Sequence, residues 1–81
     1  MAYRTLGKLR WQGKLPESRI VILHRGAPGD RKVVPGAVVT EVTKGHFLFA
    51  EREGETHIPY HRVREIWLGS RLLWKRQGSG V

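Results

Sequence analysis

Two dipeptides carry the residue types most able to do chemistry in this chain, His24–Arg25 and His61–Arg62. An imidazole donates to a phosphate oxygen or stacks on a base, and a guanidinium clamps a phosphate with two parallel N–H groups. Each pair stands where an apolar run gives way to turn-forming residues. After the first pair comes Gly26–Ala27–Pro28–Gly29–Asp30, whose backbone N–H groups suit an anion nest. Before the second comes Tyr60, a flat ring able to stack on a base. This set reads as phosphate recognition by His24, Arg25, Tyr60, His61 and Arg62. The plainer alternative is that each His-Arg pair bonds backbone groups in its own turn. Asp30 has a similar choice, between ligand contact and bracing its loop through the local backbone.

Catalysis is the weaker expectation. Two histidines can do acid–base work on a phosphodiester. However, His24 is followed by Arg-Gly, His61 by Arg-Val and His57 by Ile-Pro, so the tandem His-x-Thr/Ser pattern of two-histidine phosphoesterases is absent. The Gly26–Asp30 loop lacks the Gly-Lys-Ser/Thr ending of a nucleotide-binding P-loop, and it is not a dinucleotide fingerprint. Four scattered histidines and no cysteine offer no metal-ligand spacing, so neither metal nor cofactor is expected. The absence of cysteine also excludes a disulfide framework and a thiolate nucleophile.

Charge gives the partner class. The 81 residues carry 15 Lys and Arg against 7 Asp and Glu, a net charge of +8. Residues 1–14 hold four cations and no acid, residues 41–60 are net −2, and residues 61–81 are net +4. A fold that joins the two ends presents a positive face, which attracts polyanions and above all nucleic acid. Arg4, Lys8, Arg10, Arg64, Lys75 and Arg76 are the candidates for sequence-independent backbone contacts. The chain has no Asn, one Met and two Gln, a depletion expected of a hyperthermophile.

Elements must hold these groups in place, and the length allows one domain, assigned to residues 1–76, with 77–81 as a flexible tail. Tyr3, Leu6 and Leu9 recur at helical spacing, predicting a helix over 3–11 that Gly13 closes. Gly7 lowers its propensity, and Trp11 is expected to anchor its end. Arg19–His24 is a continuous β-branched and apolar run, the pattern of a strand covered on both faces. Residues 24–32 form a loop, Val33–Val34 a short strand and Pro35–Gly36 a tight turn. Ala37–Val42 and His46–Arg52 are strands joined at Lys44–Gly45, with Phe47 and Phe49 on the inner face. A turn at Glu53–Glu55 leads to a short strand, Thr56–Ile58, stopped by Pro59.

The last segment is a hairpin, Glu65–Leu68 and Arg71–Lys75 around Gly69–Ser70, where glycine in the first loop position suits a type II′ turn. Its simplest register sets Trp67 opposite Leu72, Ile66 opposite Leu73 and Glu65 opposite Trp74. That register places Trp67, Leu72 and Trp74 on one face and leaves open which tryptophan is core. The fold class is α+β and mainly β, a short N-terminal helix before about five antiparallel strands in a small curled or barrel-like sheet. No apolar run is long enough to span a membrane, and the N-terminus lacks the apolar centre of a secretory signal. The expectation is a soluble, cytoplasmic protein of open oligomeric state.

Several of these segments together resemble a known family. They are HRGAPGD (24–30) with Lys32 and Gly36, IPYHRVREI (58–66) and LLWKR (72–76), preceded by the Leu9–Arg10–Trp11 step. In these the chain is similar, over about residues 3–76, to a small, mostly archaeal family. That family, once uncharacterised, is described as the RNA cyclic-group-end recognition domain. The resemblance implies RNA binding with a preference for ends bearing a 2′,3′-cyclic phosphate, since relatives are fused to RNA-processing and repair domains. The family's motif residues fall on His24, Arg25, Asp30, Tyr60, His61 and Arg62. Without a fused catalytic domain, this chain is expected to act as a standalone noncatalytic reader, or beside RNA-processing enzymes. The alternatives are a basic ribonucleoprotein component, such as an accessory protein of the archaeal ribosome, a phosphodiesterase acting on cyclic ends, and a module whose basic face meets an acidic protein.

Overall fold

A computed structural model describes residues 2–76, so the tail expected over 77–81 lies outside the described residues. One helix, α1 (Ala2–Trp11), precedes seven strands: β1 (Ser18–Leu23), β2 (Arg31–Pro35), β3 (Val39–Val42), β4 (His46–Glu51), β5 (Gly54–Pro59), β6 (Val63–Leu68) and β7 (Arg71–Lys75). Single 3-10 turns fill Leu15–Glu17, Pro28–Asp30, Gly36–Val38 and Tyr60–Arg62. The strands form two antiparallel sheets, ordered β2-β1-β6-β7 and β3-β4-β5, and the sheets do not close. The mainly β fold with one N-terminal helix is as expected. The strand count is higher than the expected five, and two sheets replace one. Val33–Val34 and Thr56–Ile58 lengthen because polar neighbours such as Arg31, Lys32 and Glu55 pair through their backbones whatever their side chains.

The helix forms where the apolar spacing predicts it. Of the expected stripe, Leu6 and Leu9 are buried, together with Ala2, while Tyr3 is only half-buried. Gly13, at φ +72°, ends the helix. Its N–H donates to the Arg10 carbonyl at 3.1 Å and the Lys14 N–H to the Leu9 carbonyl at 2.9 Å, the paired bonds of a Schellman cap. Trp11 does not anchor this end. It is 87% exposed, because it falls off the Ala2–Leu6–Leu9 stripe.

β1 is central, paired with β2 on one side and β6 on the other. Ile20 and Ile22 enter the core with Val34, Val63, Ile66, Phe47, Phe49 and Ile58. Val21 is buried on the opposite face, between Val33 and Glu65. That outer face also carries Trp67, whose indole donates to Glu65 at 2.9 Å while Arg31 bonds the same carboxylate at 2.7 Å. The indole first, then the guanidinium, holds the Glu65 carboxyl below its usual range.

The β6–β7 hairpin turns as expected, with Gly69 at φ +60° and Trp67 opposite Leu72. Beyond that pair the register shifts. Ile66 faces Trp74 and Glu65 faces Lys75, so Leu73 is an extra residue and the expected Ile66–Leu73 pairing is wrong. The bulge exchanges faces. Trp74 turns inward and packs against the core, leaving Trp67 and the 41%-exposed Leu72 outside.

Two glycines give opposite tests of this packing. A Cβ on buried Gly36 would sit 1.8 Å from the Leu15 carbonyl oxygen and 2.2 Å from Ser18 Oγ, which itself bonds that carbonyl. A Cβ on Gly7 meets nothing within 4 Å. Gly36→Ala is expected to lower the unfolding free energy by about 2–3 kcal/mol in urea denaturation. Gly7→Ala is expected to raise it by about 0.5–1 kcal/mol. Equal effects at the two positions would contradict the packing.

Candidate nucleic-acid interface

The second His-Arg pair lies in the 3-10 turn Tyr60–Arg62, between the end of β5 and the start of β6. Pro59, in extended geometry, stops β5 and sets the turn's direction. The turn is tied from three sides. The Tyr60 hydroxyl donates to the Thr43 carbonyl in the β3–β4 hairpin. That hairpin is itself closed by Thr43, whose N–H and Oγ1 both donate to the His46 carbonyl, at 2.9 and 2.7 Å. Arg62 donates to the Leu23 carbonyl at the end of β1, at 2.8 Å. Arg76, just past β7, donates to the Tyr60 carbonyl at 2.7 Å and to the Val63 carbonyl at 3.0 Å.

These ties shape a cavity of about 520 Å³. Tyr3, Tyr60 and Trp74 supply aromatic walls, and Lys44, His61 and Arg76 supply cations or N–H donors. Ala2 and Gly45 complete the lining, and no carboxylate is among the described lining residues. The Tyr60 ring packs 5.8 Å from Tyr3 and 6.2 Å from Phe47, centroid to centroid. The Arg76 guanidinium lies over Trp74, 5.4 Å from the ring centroid. Burial first, and then the neighbouring Tyr3, pushes the Tyr60 hydroxyl up to about 12. A walled site with N–H donors and no acid suits an anionic group attached to a flat ring.

The other expected residues are distributed as follows. His24 is exposed, lies outside the cavity and is within electrostatic reach of Glu51 at the end of β4. Arg25 is exposed in the β1–β2 loop. Asp30 braces that loop, its carboxylate accepting from the Gly26 N–H at 3.4 Å and its own carbonyl from the His24 N–H at 2.8 Å. The two His-Arg segments are joined by the Arg62–Leu23 bond, where the β1–β6 ladder ends at Ile22 and Val63. Arg62 therefore fixes the junction, and His61 alone of the four lines the cavity. Arg4, Lys8, Arg10 and Lys75 are exposed, while Arg64 is half-buried as the extra residue of a β6 bulge.

Sequence reasoning missed Tyr3 and Lys44 as members of this site and left open whether Trp74 is core. Tyr3 reads as part of the helix's apolar stripe, and the Thr43–Tyr60 bond ties the hairpin that carries Lys44 and Gly45 to the cavity. Among the described residues no group of three or more His, Cys, Asp or Glu side chains gathers to hold a metal. No helix of these residues is long and apolar enough to cross a membrane.

Fold and site together define a small basic β domain with an aromatic, cationic cavity between its helix and its last strand. Residues 1–76 match the model of the MJ1316 RNA cyclic group end recognition domain, and the chain belongs to that family. Over 68 residues it is 43% identical to a UPF0248 protein of Methanococcus maripaludis, covering 82% of this chain and 83% of that one. A UPF0248 protein of Thermococcus sibiricus is 37% identical over 79 residues, 93% of this chain and 84% of its own. One from Pyrobaculum calidifontis is 36% identical over 72 residues, 86% and 91% respectively. No solved structure matches the chain.

The half-buried Tyr60 phenol gives a pH test. A folded-state pKa raised from 10.0 to about 12 means that the folded protein holds this proton more tightly than the unfolded chain. The stability this contributes is complete below pH 10 and is lost as pH rises towards 12. In an ultraviolet titration, one of the two tyrosines should ionise only near pH 12, and that step should vanish in Tyr60→Phe. A Tyr60 step near pH 10 would contradict the burial.

Proposed function

We propose that this chain is a noncatalytic RNA-binding module that receives the 3′ end of an RNA in the Tyr60 cavity and favours a 2′,3′-cyclic phosphate there. The observation that carries this reading is the lining: three aromatic side chains, three N–H donors and no described carboxylate. A terminal base stacks against the aromatic wall, and Lys44, His61 and Arg76 face the phosphate oxygens. A cyclic phosphate offers only acceptors, which matches donors. A free 2′,3′-diol also brings O–H donors that find no carboxylate among those side chains. The cyclic group carries one negative charge, whereas a linear phosphate carries close to two. Taking the singly charged group into a partly apolar cavity costs less desolvation.

The family's description as an RNA cyclic group end recognition domain supports the same reading. The lining contains a single imidazole, whereas acid–base cleavage by a histidine pair needs two on one phosphate. His24 and Arg25, outside the cavity, belong with the RNA backbone contacts in this reading, and Arg62 with positioning of the turn.

The test is a fluorescence titration at one stated salt concentration, using a short RNA with a 3′-hydroxyl, a linear phosphate or a 2′,3′-cyclic phosphate. The cyclic end should bind tightest. His61→Ala and Lys44→Ala should each remove about 10-fold or more of that preference, the scale of one charge-assisted hydrogen bond. The cyclic-ended RNA should be recovered intact. Equal binding of all three ends would overturn the end reading in favour of a general ribonucleoprotein component. Hydrolysis abolished by His61→Ala would overturn the noncatalytic one.

A further inference from the structure

A second concavity of about 330 Å³ lies beside the first, again between α1 and the last strands. Its walls are Thr5, Lys8 and Leu9 from the helix with Gln12 and Lys14 just beyond it, and Leu68, Arg71 and Leu73 from the β6–β7 hairpin. The two hollows share the same two elements. Ala2 of the first and Thr5, Leu9 and Gln12 of the second follow one another at i, i+3, i+7 and i+10, a single helical stripe. On the strand side, Leu73 of the second hollow is followed directly by Trp74 of the first. Because α1 runs towards the second hollow while β7 runs away from it, the two hollows lie in line along the seam between α1 and β7. From Ala2 to Gln12 that seam is about 15 Å long.

Charge along the seam has one sign. Lys8, Lys14 and Arg71 line the second hollow, which contains no carboxylate among its described residues, and all three are exposed. The acids Glu51, Glu53 and Glu55 line a different surface, around the β4–β5 hairpin. A hollow with aromatic walls in line with a cationic one has the form of a single-strand track.

We infer that the α1–β7 seam is an RNA strand track, with Lys8, Lys14 and Arg71 taking the phosphates that lie 5′ of the terminal nucleotide held in the Tyr60 cavity. The inference rests on the cavity being the end site, and it adds a direction. The strand enters beside Gln12 and Arg71 and stops at Tyr60, so the module needs a free 3′ single strand several nucleotides long. The contacts are to phosphates and therefore blind to sequence.

The experiment compares a 2′,3′-cyclic mononucleotide with cyclic-ended oligonucleotides of two, four and six residues, and with the four-residue oligonucleotide ending in a 3′-hydroxyl to read end preference, over a range of salt. It uses the intact protein, the Lys14→Ala/Arg71→Ala variant, and Arg52→Glu as a variant with the same loss of charge placed in the β4–β5 turn. In the unmodified protein affinity should rise from one to four nucleotides. In Lys14→Ala/Arg71→Ala the mononucleotide should bind unchanged. The four-residue RNA should weaken 10-fold or more, with a salt slope lower by about 1.4, at ~0.7 per phosphate contact on a single strand. Arg52→Glu should change the length dependence little. Circular dichroism on each variant reports that it is folded. Retained length dependence in the seam variant, with end preference intact, would overturn the track and leave the end reading standing. Loss of end preference with the seam effect present would overturn the end reading instead. Equal weakening by Arg52→Glu would reduce the effect to net charge and overturn the track.

Discussion

Two small sheets that do not close can exclude water from a shared core only if something covers the open side. Helix α1 supplies that cover with Ala2, Leu6 and Leu9, which reach Phe47 and Phe49 of one sheet and Ile20, Ile22 and Ile66 of the other in one cluster. Phe47 and Leu6 are fully buried within it. An 81-residue chain has few such contacts to spare, so the seat of the helix governs the rest. The Schellman cap at Gly13 and the Leu15–Ser18–Gly36 contact fix where the helix ends and how β1 begins. With α1 held there, its N-terminus lies beside Tyr60 and Trp74, and its flank lies along β7.

The same seat explains the charge pattern. The basic N-terminal segment and the basic C-terminal segment, distant in sequence, come together where α1 packs beside β7. The acidic stretch 41–60 is left in the β3-β4-β5 sheet, and Glu51, Glu53 and Glu55 gather around its β4–β5 hairpin. A single packing interaction thus stabilises the core and separates charge on the surface. Polyanion binding would follow from that separation without any dedicated loop. The Tyr60–Thr43 bond and the Arg76 bonds to the Tyr60 and Val63 carbonyls tie the walls of the Tyr60 cavity to one another.

What the sequence reveals and conceals divides along physical lines. Features decided within a few residues are legible: the helical stripe, its glycine cap, the Gly69 turn, and β1 as a strand buried on both faces. The inward-facing Phe47 and Phe49 are legible for the same reason. Features decided by register are not. Leu73, Trp74 and Leu72 are all apolar, so nothing local says that Leu73 is an extra residue, and one slip puts the two tryptophans on opposite faces. Trp11 misleads because an aromatic at a helix end reads as an anchor, although its angular position turns it to solvent. The cavity is concealed for a related reason. Its residues come from four separate segments, and only Tyr60, His61, Trp74 and Arg76 belong to motifs that the sequence itself singles out.

The central claim is that the end group binds at Tyr60 and Trp74, and the chain's three tryptophans offer a direct readout. Trp74 lines the cavity, Trp11 is exposed on the helix, and Trp67 lies on the outer sheet face bonded to Glu65. In a nitrogen–proton correlation spectrum each indole N–H gives its own signal. Titration with a 2′,3′-cyclic mononucleotide should move the Trp74 indole and the backbone amides of Lys44, Gly45 and His61, and leave the Trp67 and Trp11 indoles in place. Movement of Trp67 or Trp11 with Trp74 unchanged would put the ligand on another face and contradict the account.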